Sequence, residues 1–282
     1  MKTKLLIAAV FCSGLFITVT SSAAEDKKLT VDQIVEKANF TAYYQGSDGK
    51  ARVKMDIVDS QNRSRQRALT ILRWDAPDPK HDKNVPKNKE QFAGQQKFYV
   101  FFHKPADVSK MAFLVWKHLD KDDDRWLYLP KLDLVKRIAG SEKRTSFIGS
   151  DFFYEDISGR NIAYDTHELV ETTKNYYVLK STPKEPKGVD FSYYKTWIHR
   201  KTFMVIKTEY YDRGGKAYRR YEAKGVKQIQ GYWTVVKARM TDLRTNRYTQ
   251  VMYSDIKYDT GIPESIFTER YLRRPPAKYL KD

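Results

Sequence analysis

Hydrophobic spacing divides the chain into one helical stretch and a long run of strand-like segments. Val31, Ile34, Val35 and Ala38 recur at helical spacing behind Thr30, and Thr30 with Gln33 makes a capping box, so this stretch is predicted to be helical. Beyond Asn39 the period becomes two. Val53, Met55 and Ile57 alternate with Arg52, Lys54 and Asp56, the pattern of a strand with one dry face and one wet face. Val236, Ala238 and Met240 repeat it against Lys237 and Arg239, as do Met204 and Ile206 against Lys207. Turn signals fall at residues 59–62 and 212–216, at Gln230-Gly231 and at Thr245-Asn246. Short strands punctuated in this way predict a mainly β chain, an antiparallel meander curling into a barrel or a sandwich. Residues 77–89 are polar and Pro-bearing and are expected to form a loop, and no repeat or interdomain linker is visible, so one domain is expected.

The middle third departs from this alternation. Residues 98–102, 111–116 and 126–129 are apolar at both parities, so both faces of these strands must meet something apolar. One face could look into a lumen while the other packs under a helix, for which the Thr30 helix is the obvious candidate. A thick ordinary core would show the same pattern, and periodicity does not separate the two or say which parity faces inward.

Residues 1–24 read as an address. Lys2 and Lys4 precede an apolar run over residues 5–19, and Ser21, Ser22, Ala23 and Ala24 supply small residues for cleavage after Ala23 or Ala24. The run is short for a membrane span, and bulky Phe11 before Cys12 disfavours a lipoprotein anchor. The expected product is a periplasmic domain over residues 25–282. Cys12, the only cysteine of the 282 residues, would leave with the leader, so disulfides and cysteine-based zinc sites are excluded. The formal charge of +17 falls by two on cleavage, to +15. Export argues against nucleic acid as the partner and leaves anionic membrane surfaces, lipid headgroups, acidic glycans or an acidic protein face.

Catalytic signatures are missing. The sequence has no phosphate-binding Gly-rich loop, no Gly-x-Ser-x-Gly elbow and no His-Glu-x-x-His helix, and its five His residues lie far apart. Asp120, Asp122, Asp123 and Asp124 lack the Gly and terminal Glu of a calcium loop and are expected to form a solvated hairpin turn. No metal or cofactor is expected.

Residues 140–156 mix Gly and Ser with four aromatics and paired charges between strands. Loops seldom carry so many large apolar groups, because exposing them is unfavourable. The segment is either a lid whose aromatics dip into a cavity or a permanent cork folded over the core.

Here the chain resembles a known family. Trp126-Leu127-Tyr128-Leu129-Pro130, Lys136-Arg137 and the 146–156 stretch are similar to the outer membrane lipoprotein-sorting family, a LolA-like group of periplasmic proteins. Trp197, residues 204–210, the Asp212-Arg213-Gly214-Gly215-Lys216 turn, and the ending Ile262-Pro263, Phe267 and Tyr271-Leu272 extend the resemblance over nearly all of the chain beyond residue 24. It implies an unclosed antiparallel β-barrel with helices covering or plugging its mouth, an apolar cavity for acyl chains, and no catalytic residue. Lipid or acylated protein would be the cargo, and an inner-membrane exporter of the resistance-nodulation-division type a partner.

A soluble carrier needs a dry slot, which aromatics and Met suit because they are large without interdigitating tightly. Lining candidates are Met55, Phe98, Val100, Phe102, Phe113, Trp126, Tyr128, Met204, Ile206, Met240 and Met252, with Phe147, Phe152 and Phe153 as the lid. Lys136, Arg137, Lys143 and Arg144 could hold an anionic headgroup or could be a solvated basic face. Two rivals to a carrier remain: an accessory protein docked on an exporter with no lipid cargo, and an envelope hydrolase using Asp151, Glu155 or Asp156.

Overall fold

The computed structural model describes residues 29–76 and 94–281; the expected leader, Cys12 and the 77–89 loop lie outside them. The strands are β1 (Asp48–Val58), β2 (Ser64–Asp75), β3 (Gln96–Lys104), β4 (Ala112–Lys117), β5 (Asp124–Leu129), β6 (Leu134–Arg137) and β7 (Asp165–Thr172). They continue with β8 (Tyr176–Pro183), β9 (Tyr193–His199), β10 (Val205–Tyr211), β11 (Ala217–Ile229), β12 (Tyr232–Asp242) and β13 (Arg247–Tyr258). All belong to one antiparallel sheet ordered β6-β5-β4-β3-β2-β1-β13-β12-β11-β10-β9-β8-β7. Neighbours are consecutive in sequence except β1 and β13, whose pairing joins the two halves. β6 and β7 are its edges and do not pair with each other, so the barrel is unclosed, and the chain between them, residues 138–164, carries the aromatic segment. The four turns read from the sequence connect β1–β2, β10–β11, β11–β12 and β12–β13.

Directly paired residues in an antiparallel ladder share a face. The pairs Val53↔Tyr253, Met55↔Val251, Val53↔Leu69, Leu69↔Phe102, Val100↔Phe113 and Phe113↔Leu127 therefore carry one inward face across six strands. These residues form a buried cluster that Phe147, Phe152 and Tyr154 complete from the connecting segment. The opposite parity of the middle strands, with Leu72, Tyr99, Leu114 and Trp126, packs against Ile262, Ile266, Phe267 and Leu272 of the C-terminal segment. That segment includes α3 (Arg270–Arg273) and α4 (Ala277–Leu280).

The Thr30 helix, α1 (Val31–Tyr43), begins at the expected capping box, with Gln33 N–H donating to Thr30 Oγ1 and Thr30 N–H to Gln33 Oε1. It does not cover the middle strands. Its buried Ile34, Val35 and Ala38 pack with Leu179 of β8 and Ile198 of β9. The C-terminal residues supply the apolar cover instead, an alternative the helix-centred expectation lacks. No helix among the described residues is long and apolar enough to cross a membrane.

Candidate ligand cavity

A cavity of about 350 Å³ lies between the inward face of the sheet, the end of α1 and the aromatic segment. Its size falls in the roughly 300–1,000 Å³ range of small-molecule sites. Phe98, Ile71, Met240 and Val235 line it from the strands, and Phe152 and Ile157 from the connecting segment. Ile157 belongs to the short helix α2 (Tyr154–Ser158). A second hollow of about 520 Å³ lies beside α1, lined by Gln33, Glu36, Lys37 and Lys117 together with Phe40, Tyr44, Leu119 and Ile162.

The lining candidates separate by parity and register. Phe98, Met204 and Met240 line the cavity. Met55, Val100, Phe102 and Phe113 lie on the same inward face but in its packed part, where Phe147 occupies the space. Trp126 and Tyr128 have the other parity and pack in the outer cluster with the C-terminal segment, so they are not lining residues. Ile206 falls at a register shift between Val205 and Lys207, and the cavity is lined there by Val205, Thr208 and Tyr210. Met252 alternates with the inward Val251 and Tyr253 and belongs to neither the cavity nor the inner cluster. A further shift around Gly225 brings Val235 and Trp233, rather than Val236, onto the lining.

Phe147 is 1% exposed, and its ring meets those of Phe102, Phe113 and Tyr154. Phe153 lies outside this stack, with the Arg219 guanidinium 3.9 Å from its ring centre and that of Arg144 at 5.1 Å. In the state described, the segment is seated as a plug. Asp151 N–H donates to Thr249 Oγ1, whose hydroxyl donates to Asp151 Oδ2, which fastens the plug to β13. Ser158 O accepts from Lys117 Nζ of β4 at 2.7 Å.

Buried ions pin the plug to the opposite half of the sheet. Glu155 lies between Arg144 at 2.7 Å and Arg160 at 3.2 Å, and Arg160 also pairs with Asp165. Arg144 reaches Asp190, and Arg219 of β11 pairs with Asp156 and donates to Asp151 O. Burial works against the Asp190 carboxylate, but Arg144 and the Tyr218 hydroxyl hold it below its ordinary value. The Asp151 carboxyl is pushed upward by burial. The three carboxylates inspected for hydrolysis are thus each committed to Arg or Thr partners, and of them only Asp156 lines the cavity. No cluster of metal-ligating side chains occurs among the described residues.

The four basic residues near the plug also have partners. Lys136 pairs with Glu142, Arg137 with Asp124, and Lys143 with Asp122. Arg144 is interior, its side chain 7% exposed, which removes it from any surface headgroup site. The acidic turn between β4 and β5 is therefore the counter-charge of Arg137 and Lys143. Against the effect of burial, His118 and Arg137 hold the Asp124 carboxyl below its ordinary value.

Sequence reasoning missed Tyr43, Tyr210, Tyr221 and Tyr253, all of which line the cavity. The available signal was indirect: Tyr253 pairs with Val53 and Tyr221 with Met240, residues already assigned to dry faces.

A model of a family of uncharacterized proteins matches residues 94–274. No curated protein matches the chain. Among solved structures, the chain is similar to a putative outer membrane lipoprotein-sorting protein domain from Vibrio parahaemolyticus, at 27% identity and a TM-score of 0.75, covering 86% of this chain and 97% of that one. It is also similar to a DUF1329 family protein from Desulfovibrio piger, at 26% identity and a TM-score of 0.72, covering 85% and 97% of the two chains. A LolA superfamily protein from Nitrosomonas europaea shares the fold, at 20% identity and a TM-score of 0.63, over 86% and 100%.

Proposed function

The chain belongs to the LolA-like family of lipoprotein-sorting proteins, and from that premise we propose that it is a periplasmic carrier. It would hold lipid or lipoprotein acyl chains in its cavity and move them between envelope membranes. The observation that carries this reading is the apolar cavity left between the inward face of the unclosed sheet and the plug. Each buried methylene is worth about 0.8 kcal/mol, so an acyl chain exposed to water costs on the order of 10 kcal/mol, and a dry slot removes most of that cost. No catalytic step is part of the proposal.

The proposal treats residues 25–282 as one exported domain. Phe98, Met204, Met240 and Phe152 are its lining in the plugged state. Met55, Val100, Phe102 and Phe113 would join the lining only when Phe147 withdraws, which would enlarge the slot for a longer or second chain. The basic excess and the exposed Lys136 and Arg137 suit an anionic membrane surface. An exporter of the resistance-nodulation-division type remains the proposed source of cargo.

One observation favours a second reading. Phe147 and Tyr154 fill the inward face of the middle strands, as they would in an accessory protein that docks on an exporter and carries no lipid. Native mass spectrometry of the protein purified from an envelope fraction, followed by lipid extraction, separates the two. A stoichiometric phospholipid or acylated peptide adduct supports the carrier. An apo mass with no uptake of a fluorescent fatty acid leaves the docking protein.

A further inference from the structure

Four tyrosines from four different elements face the cavity: Tyr43 at the end of α1, Tyr210 on β10, Tyr221 on β11 and Tyr253 on β13. Each retains intermediate accessible surface, yet each is desolvated. Burial pushes the hydroxyls of Tyr210 and Tyr253 up to about 12 and raises those of Tyr43 and Tyr221 well above their ordinary value. Both properties hold at once when the surface in question faces a recessed cavity that is partly open to solvent. The four share the lining of one cavity with Asp156.

None of these hydroxyls donates a hydrogen bond within the described residues. Other tyrosines of this molecule do. Tyr99 donates to Tyr271 O, Tyr194 to Asp165 and Tyr218 to Asp190, all at 2.7–2.8 Å. Hydroxyl donors that open onto one cavity mark a place for acceptor oxygens, which there take the place of water. Charge says which kind. The lining carboxylate Asp156 is already neutralised by Arg219, and Arg73 is committed to the carbonyls of Tyr43 and Gly46 and to Asp75. Lys50 and Lys257 also line the cavity, Lys50 donating to Lys281 O and Lys257 lying exposed, so beside the tyrosines, where Asp156 and Arg73 are paired, the four donors suit neutral carbonyl oxygens better than phosphate.

We infer that the tyrosine cluster is the subsite for the ester carbonyls of a diacyl lipid, with the hydrocarbon beyond them packed on Phe98, Ile71 and Met240. The inference rests on the carrier reading of the same cavity and adds what that reading lacks, a polar determinant of cargo. Hydrocarbon alone would leave all four hydroxyls unpaired. An ester-linked chain satisfies them at the depth where its apolar tail begins.

The test compares an ester-linked phosphatidylglycerol with its ether-linked counterpart of equal chain length, competing for the full mature protein in native mass spectrometry. Ether oxygens are poorer acceptors and carry no carbonyl. The unmodified protein should favour the ester lipid about tenfold, the effect of two ordinary neutral hydrogen bonds. Tyr221→Phe with Tyr253→Phe should bring the preference to within about twofold, through a loss that falls mainly on the ester lipid. The single variants and Tyr43→Phe provide the same readout should the double variant fail to fold. Equal binding of the two lipids by the unmodified protein overturns the tyrosine subsite while leaving the carrier standing. So does an equal loss of both lipids in the variants, which would make the tyrosines mere packing. Binding of neither lipid overturns the subsite and the carrier together.

Discussion

The ring of Phe147 lies edge-on to that of Phe113, with the centroids 5.3 Å apart. This contact joins a Gly- and Ser-rich connection to the inward face of β4, and Phe147 reaches it only because the chain reverses tightly around it. Phe147 N–H donates to Phe152 O at 2.8 Å, and Ser150 Oγ donates to Phe147 O at 2.7 Å. The plug is thus organised by its own backbone and fills the packed part of the inward face with Phe147, Phe152 and Tyr154.

Phe147→Ala should lower stability by about 3–5 kcal/mol, the cost of emptying a packed aromatic site. Urea denaturation measures it. A loss below about 1 kcal/mol would mean that Phe147 rests on the core without supporting it. If the carrier reading holds, the same variant gains interior volume and accepts a longer acyl chain.

Arg219 and Asp156 are the ion pair through which β11 grips the plug. Arg219→Met alone should cost about 3–5 kcal/mol, because it leaves a carboxylate largely buried without its counter-charge. Arg219→Met combined with Asp156→Leu should recover much of that loss. A double-mutant cycle by urea denaturation checks this, and additive losses would show that the two residues act separately.

Asp75 sits behind the end of α1, where Arg73 and Gln96 donate to Tyr43 O and Gln96 also donates to Asp75. Burial pushes its carboxyl up to about 7, above the ordinary value of 3.8. A carboxyl that holds its proton in the fold and releases it on unfolding favours the fold most at low pH. That contribution is lost as pH rises from about 4 to 7. The stability difference between the unmodified protein and Asp75→Asn should therefore fall across this interval and level off above it. A difference that instead grows with pH would place the folded carboxyl below 3.8.

Gly159 follows α2 with φ at +75°, and a Cβ there would lie 2.3 Å from Tyr43 Cζ. Gly159→Ala should destabilise by about 1–3 kcal/mol through backbone strain alone, with further loss from the displaced Tyr43 ring. Thermal unfolding measures the first effect. If the carrier reading holds, altered lipid uptake reports the second, because Tyr43 lines the cavity.

Much of the architecture was legible in short windows of sequence. The Thr30–Gln33 box starts a helix where it stands, the turn residues close four hairpins, and the Val53, Met55 and Ile57 alternation faces the core as its period requires. These depend on neighbouring residues, whose spacing the sequence displays directly. The doubly apolar strands had to be covered on both faces, but their cover comes from Phe147 on one side and from Phe267 and Leu272 on the other. Nothing in residues 98–129 themselves says so. Trp126 and Phe113 look equivalent in sequence and face opposite ways because their parities differ by one. Ile206 loses the lining to Val205, and Val235 rather than the alternating Val236 lines the cavity, because register shifts displace the alternation at those points.

By itself, then, the sequence determined the alternation of strands such as β1, the doubly apolar character of the middle strands, the helix start, the turns and the need for two apolar covers. Tertiary structure alone decided which parity faces inward, where the plug seats and that four tyrosines from α1, β10, β11 and β13 meet in one void. The physical reason is that a strand's alternation is local, whereas a cavity is shaped by registers and bulges between strands up to two hundred residues apart.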